Sequence, residues 1–212
     1  EGGKSESYDL SGTLLYRRPR DLYLQLQHSL GGKIEIGSND GEFWVWKRLG
    51  RERYWWGQQA LADMNREIDI PLRPTDIVEV LGLGELDVPD RSHFNVRRER
   101  YEIEVHTIEP PGRSRVAKQI RIDRRPPYLV REMTYYAPDG RARVEAVLSR
   151  YGVVGGGDVM LPRRIQINWP RKGGHMNLEF GSIDRFRETP DVLKRFISPV
   201  RQGRDVAGIE RV

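Results

Sequence analysis

The sequence contains no cysteine, which excludes disulfide frameworks, thiolate zinc sites and cysteine nucleophiles. No apolar run approaches the roughly 18 residues a membrane-spanning helix needs. Mean hydropathy is −0.67. Histidine is scarce: His28, His93, His106 and His175 include no His-x-x-x-His pair and no partner at a recognised ligand spacing, so neither metal nor cofactor is expected. Gly-x-Ser-x-Gly, Walker and Gly-x-Gly-x-x-Gly signatures are also missing. The run Val154-Gly155-Gly156-Gly157-Asp158 leads into strand-like sequence, whereas a phosphate loop needs a helix start whose free N–H groups face the anion. Carboxylate pairs such as Glu67/Asp69 and Asp87/Asp90 have ordinary loop spacing. No acid, base or nucleophile constellation emerges, and the chain is expected not to be an enzyme.

What is present is charge and alternation. The 212 residues suffice for one domain; 32% are charged and 37% hydrophobic. Lys+Arg 36 against Asp+Glu 31 gives +5, a balance that suits anionic surfaces such as phospholipid headgroups, lipopolysaccharide or nucleic acid. The basic residues fall in turns and on polar strand faces (Arg17, Arg18, Arg20, Arg124, Arg125, Arg163, Arg164) and do not cluster on one helix, so they read as the solvated outside of a sheet. The opening residues Glu1-Gly2-Gly3-Lys4 carry no readable compartment signal.

Period-2 alternation predicts strands at 8–16, 22–28, 33–36, 43–46, 53–56, 101–108, 116–123, 128–136, 143–150, 160–169 and 175–180. Asn39-Asp40-Gly41 predicts a hairpin turn through residues that tolerate positive φ. Phe43-Trp44-Val45-Trp46 is apolar on both faces, as a strand covered on both sides would be, and either face could line a cavity. A short helix is predicted within 70–82, capped by Thr75 or Asp76 and ended by Gly82; 83–92 read as a polar loop, and 190–196 as a last helical turn.

These elements predict a mainly β (α+β) fold. It is one large curved antiparallel sheet of about eleven strands, forming an unclosed half-barrel with one or two short covering helices. Residues 1–212 are expected to make a single domain, with 1–7 and 201–212 as loose tails. One strand face supplies Leu22, Leu24, Leu26, Ile34, Ile36, Phe43, Val45, Ile103, Val105, Ile120, Ile122, Ile165 and Ile167. That is more apolar surface than so short a helix covers, so these residues are the candidate lining of an apolar cavity suited to a hydrophobic ligand.

In their order along the chain, four motifs resemble the LolA/LolB-like lipoprotein-localisation carriers of the bacterial envelope. They are Gly12-Thr13-Leu14-Leu15-Tyr16-Arg17-Arg18-Pro19-Arg20-Asp21-Leu22-Tyr23-Leu24, Ile36-Gly37-Ser38-Asn39-Asp40-Gly41-Glu42-Phe43-Trp44-Val45-Trp46, Tyr135-Tyr136-Ala137-Pro138-Asp139-Gly140-Arg141 and Leu161-Pro162-Arg163-Arg164-Ile165. The similarity spans most of 8–180. It implies a non-catalytic periplasmic or outer-membrane-anchored protein whose unclosed barrel holds lipid or lipoprotein acyl chains. The membrane surface and envelope transport proteins would be further partners, with no nucleic acid and a monomer as the expected state. Leu81, Leu83 and Leu86 are candidates for a membrane-contacting loop. The competing readings are an envelope structural or protein-interaction module with nothing bound and, behind it, a basic nucleic-acid binder.

Overall fold

The structure is a computed structural model and describes residues 8–58, 77–78, 80–81, 94–98, 102–108, 116–155, 157, 159–171, 173–204 and 209–211. Among these residues the strands are β1 (Leu10–Arg17), β2 (Asp21–His28), β3 (Lys33–Ser38), β4 (Glu42–Lys47), β5 (Arg53–Gln58), β6 (Phe94–Arg98) and β7 (Glu102–Ile108). They continue with β8 (Val116–Asp123), β9 (Val130–Tyr136), β10 (Ala142–Val153), β11 (Met160–Trp169), β12 (Gly174–Glu179) and β13 (Ile209–Arg211). A short helix, Pro190–Leu193, runs into a 3-10 turn, Lys194–Phe196.

The mainly β, unclosed architecture is present, with every predicted strand in place. Its hydrogen bonds divide the strands between a six-stranded sheet, ordered β1-β2-β3-β4-β5-β13, and a seven-stranded sheet, ordered β12-β11-β10-β9-β8-β7-β6. Among the described residues neither closes on itself. The chain folds as two compact units, Glu1–Val78 with Arg187–Val212 and Glu79–Phe186; the first carries the six-stranded sheet and the second the seven-stranded one.

Two strands escaped the sequence reading. Strand β6 pairs with β7 from Phe94↔Thr107 to Arg98↔Ile103, and its two consecutive arginines break the alternation that would have marked it. Strand β13 corrects the expectation of a loose C-terminal tail over 201–212. It lies parallel to β5 with Ile209 opposite Tyr54, and its hydrogen bonds use backbone groups that β5 would otherwise leave open at the sheet edge.

Local chemistry explains the connections. The predicted hairpin between β3 and β4 forms, but a side chain holds it: Asn39 Oδ1 accepts from the backbone N–H of Gly41 at 2.9 Å and of Glu42 at 3.0 Å. None of residues 39–41 has a positive φ. The last helical turn begins where Thr189 Oγ1 accepts from the Val192 N–H at 3.4 Å, with Pro190 in the first turn. Within the predicted 70–82 helix, residues 77, 78 and 80 are helical, and Ile77, Val78, Val80 and Leu81 are buried. The proposed caps Thr75, Asp76 and Gly82 and the 83–92 loop lie outside the described residues, as do residues 1–7.

In the first unit the C-terminal segment lies on one face of the six-stranded sheet. Asn39 Nδ2 donates to the Phe196 carbonyl at 2.9 Å, and the Arg17 guanidinium stands 5.5 Å from the Phe196 ring centre. The buried Glu42 carboxylate accepts from Trp56 Nε1 at 2.7 Å, from the Ser198 N–H at 3.4 Å and from Arg201 Nε at 2.9 Å. Val200 packs against the cluster of Trp44, Trp46 and Tyr54.

Candidate functional site

Register decides which side chains share a face, because residues directly opposite one another in neighbouring strands point the same way. In the seven-stranded sheet Val105, Ile120, Met133, Ala146, Ile167 and Met176 stand in one row across β7 to β12. Ile103 pairs with Ile122, and Leu148 with Ile165 and then Leu178, on that same face. All six predicted residues of this sheet therefore lie together. Ile120, Ile165 and Ile167 are buried at its centre, while Ile103, Val105 and Ile122 form a half-buried apolar patch on β7 and β8.

The reverse face is polar. Glu104, Arg121 and Glu132 stand opposite one another on β7, β8 and β9. Arg121 donates to Glu104 at 3.1 Å and to Glu132 at 2.9 Å. Burial works against the Glu104 carboxylate, but hydrogen bonding from His106 and the charge and hydrogen bond of Arg121 outweigh it and hold its pKa below the usual range. Tyr136 OH donates to Gln119 Oε1 at 2.8 Å. Arg164, one of the basic residues read as a solvated outer face, pairs with Glu179 at 3.1 Å, and Arg171 pairs with Asp139 at 3.4 Å.

The six-stranded sheet repeats the logic. Leu14, Leu24, Ile36, Val45 and Trp55 form one row, with Leu22, Ser38 and Phe43 in the next. Leu26 pairs with Ile34 on that face. All seven predicted residues of this sheet share it, and Phe43 and Val45 thereby take the leucine side that the sequence left undecided. Leu22, Leu24, Ile36, Phe43 and Val45 are buried, and Leu26 and Ile34 half-buried. Trp44, Trp46, Tyr23 and Tyr54 occupy the opposite face, beneath the C-terminal segment.

Chemically, each apolar face is hydrocarbon with few polar handles, and the half-buried positions include Leu26 and Ile34 on one sheet and Ile103, Val105 and Ile122 on the other. Trp55 Nε1 and Trp169 Nε1 are buried without a hydrogen-bond partner among the described residues. Among those residues no group of three or more His, Asp or Glu side chains gathers where a metal could sit. Sequence reasoning missed Met133, Tyr135, Val144, Ala146, Leu148 and Trp169, all buried. The alternation of Val144, Ala146 and Leu148 was readable, but no single large aliphatic pattern singled them out. Leu81, offered as a membrane-contacting residue, is buried, because it packs as part of the short helical segment. Leu83 and Leu86 lie outside the described residues.

No protein-family profile matches this chain. No curated protein matches it either. Three solved structures are similar to it. A DUF1329 family protein from Desulfovibrio piger aligns with TM-score 0.50 and 14% identity over 89% of this chain and 80% of its own. A Vibrio parahaemolyticus domain named for outer membrane lipoprotein sorting aligns with TM-score 0.46 and 11% identity over 82% of this chain and 81% of its own. A LolA superfamily protein from Nitrosomonas europaea aligns with TM-score 0.45 and 13% identity over 85% of this chain and 82% of its own. The likeness is one of fold.

Proposed function

We propose that the protein is a non-catalytic component of the bacterial cell envelope that holds a lipid or lipoprotein acyl chain against the apolar face of its seven-stranded sheet. The observation that carries this reading is the half-buried patch of Ile103, Val105 and Ile122, continuous with the buried row behind it and backed by a polar reverse face. Hydrocarbon laid on such a patch gains roughly 0.8 kcal/mol per CH₂ removed from water. Binding would then follow chain length and need no reacting group. The periplasm or the outer-membrane surface is the compartment in which such cargo is met. A saturable site for an apolar fluorescent probe, competed by phospholipid, is the test; the absence of any saturable site contradicts the reading.

A second reading has an observation of its own. Ile165, Val144 and Leu148 are at most 1% exposed, as in a solidly packed interaction module. In that case the probe finds no site, and the envelope partner is a protein.

A further inference from the structure

The β2–β3 and β4–β5 turns lie at one end of the six-stranded sheet, beside the start of β1. Leu30, in the first turn, is 91% exposed. That turn continues through Gly31 and Gly32, both at positive φ, and the Leu30 N–H donates to His28 Nδ1 at 3.2 Å. The second turn packs against the first. The Arg48 N–H donates to the Lys33 carbonyl at 2.7 Å, and a Cβ on Gly32 would stand 2.6 Å from Leu49 Cδ1. Tyr8 completes the group: its ring meets the His28 ring edge-on at 6.1 Å, and it is 47% exposed. Of the exposed large hydrophobic residues described in this unit, Tyr8, Leu30 and Ile197, two therefore stand at this end, with half-buried Leu49 beside them.

Positive charge surrounds this apolar tip. The two hairpins and the start of β1 carry Lys33, Lys47, Arg48, Arg51 and Arg53 against the carboxylates of Asp9, Glu35 and Glu52. Glu35 is buried and takes both Lys33 and Arg48, and the Arg48 guanidinium also lies 4.2 Å from the Trp46 ring centre. Lys47 stands beside Ile34 on β3 and Arg53 on β5. Neither Lys47 nor Arg51 has a carboxylate partner among the described residues. The opposite end of the sheet differs. Its turns also carry arginine, at Arg18 and Arg20, but present no exposed large hydrophobic residue. Charge alone does not single out the Leu30 end; the joining of a leucine apex, an aromatic ring and a cationic surround does. An apolar tip gains by entering hydrocarbon, a tyrosine suits the headgroup level, and basic side chains are drawn to anionic lipid.

We propose that the Leu30 end of the six-stranded sheet docks on an anionic phospholipid bilayer, with Leu30 and Tyr8 entering the interface and Lys47 and Arg51 drawn to the headgroups. The proposal does not rest on the acyl-chain reading, since it concerns the other sheet. The test is cosedimentation of the full chain with vesicles of phosphatidylcholine alone or mixed with phosphatidylglycerol. Wild type is expected to sediment with the mixed vesicles and not with phosphatidylcholine alone, and added salt is expected to weaken the binding. Leu30→Ser removes an apolar side chain that the fold leaves in water, and K47Q/R51Q removes two charges. Each should weaken binding about tenfold or more. R20Q/R125Q takes the same charge from exposed positions elsewhere and should bind like wild type. Ile122→Arg, which addresses the acyl-chain patch, should also sediment like wild type, so the two readings fail separately. Failure of wild type to sediment with mixed vesicles gives the tip to a protein partner and overturns the proposal. Equal sedimentation with both vesicle types overturns it too, as does undiminished binding by Leu30→Ser or an equal loss in R20Q/R125Q and K47Q/R51Q. Arg51→Gln alone, at an exposed position, replaces the double variant if that is unstable.

Discussion

The Trp44 indole lies across Gly37 of the neighbouring strand so closely that a Cβ on Gly37 would stand 2.0 Å from Trp44 Cζ2 and 2.2 Å from Cε2. The two residues are direct cross-strand partners. A glycine here lets a fully buried indole lie on the sheet, and any side chain would lift it. Gly37→Ala should therefore cost about 1–3 kcal/mol of stability, the usual range for overpacking. Gly181→Ala, where an added Cβ meets nothing within 4 Å, should fall within about 0.5 kcal/mol of wild type. Urea denaturation of the two variants checks both values.

Glu42 ties the C-terminal segment to the sheet through one carboxylate shared by Trp56, Ser198 and Arg201. Glu42→Ala leaves the Trp56 N–H without its acceptor and should destabilise by about 1–3 kcal/mol. Glu42→Gln keeps an acceptor oxygen and loses mainly the charge opposite an exposed arginine, so it should cost less. Thermal melting of the pair orders them, and equal losses would contradict the hydrogen-bond account.

Strand periodicity made much of the fold legible, because alternation records burial directly. Leu22, Leu24 and Leu26 alternate with polar residues and lie on one face, as do Ile120 with Ile122 and Ile165 with Ile167. The division into two sheets was not legible. Alternation says that a strand is half-buried and leaves its partner unnamed, and nothing local marks where hydrogen bonding stops. The cleft beneath the C-terminal segment was equally invisible: Trp44 and Arg204 are 160 positions apart in sequence, and only the fold of residues 187–204 onto the sheet brings them to one cavity. Phe43–Trp46 is the instructive middle case. Its two-sided apolarity correctly signalled two covered faces, and only the register assigned each residue to one.

The acyl-chain patch yields a paired expectation. Ile122→Arg places a charge on the half-buried rim of the apolar face and should weaken binding of an apolar fluorescent probe at least about tenfold, a change worth roughly 1.4 kcal/mol. Gln166→Arg, at an exposed position of β11 on the reverse face, should leave probe affinity unchanged. Equal affinities for Ile122→Arg and wild type, with both proteins folded, would remove this patch from the account.

Alkaline pH supplies a further test. Burial pushes the Tyr151 phenol up to about 12, with the Arg131 charge opposing it. Its hydroxyl donates to the Val130 carbonyl. In the unfolded chain the phenol ionises near its ordinary value of 10.0. The folded state thus holds a proton that the unfolded state releases, and stability falls as pH rises from about 10 to about 12. Melting temperature followed across this window should decline in wild type and less steeply in Tyr151→Phe. Parallel curves would show that the Tyr151 phenol contributes nothing.

The most direct test of the lipid-holding account is native mass spectrometry of the purified chain, followed by organic extraction and identification of what is released. The account predicts a phospholipid or other acyl species in near one-to-one ratio, or its stoichiometric uptake when lipid is added. A clean ligand-free mass that stays unchanged on addition of lipid would contradict it and favour the solidly packed interaction module.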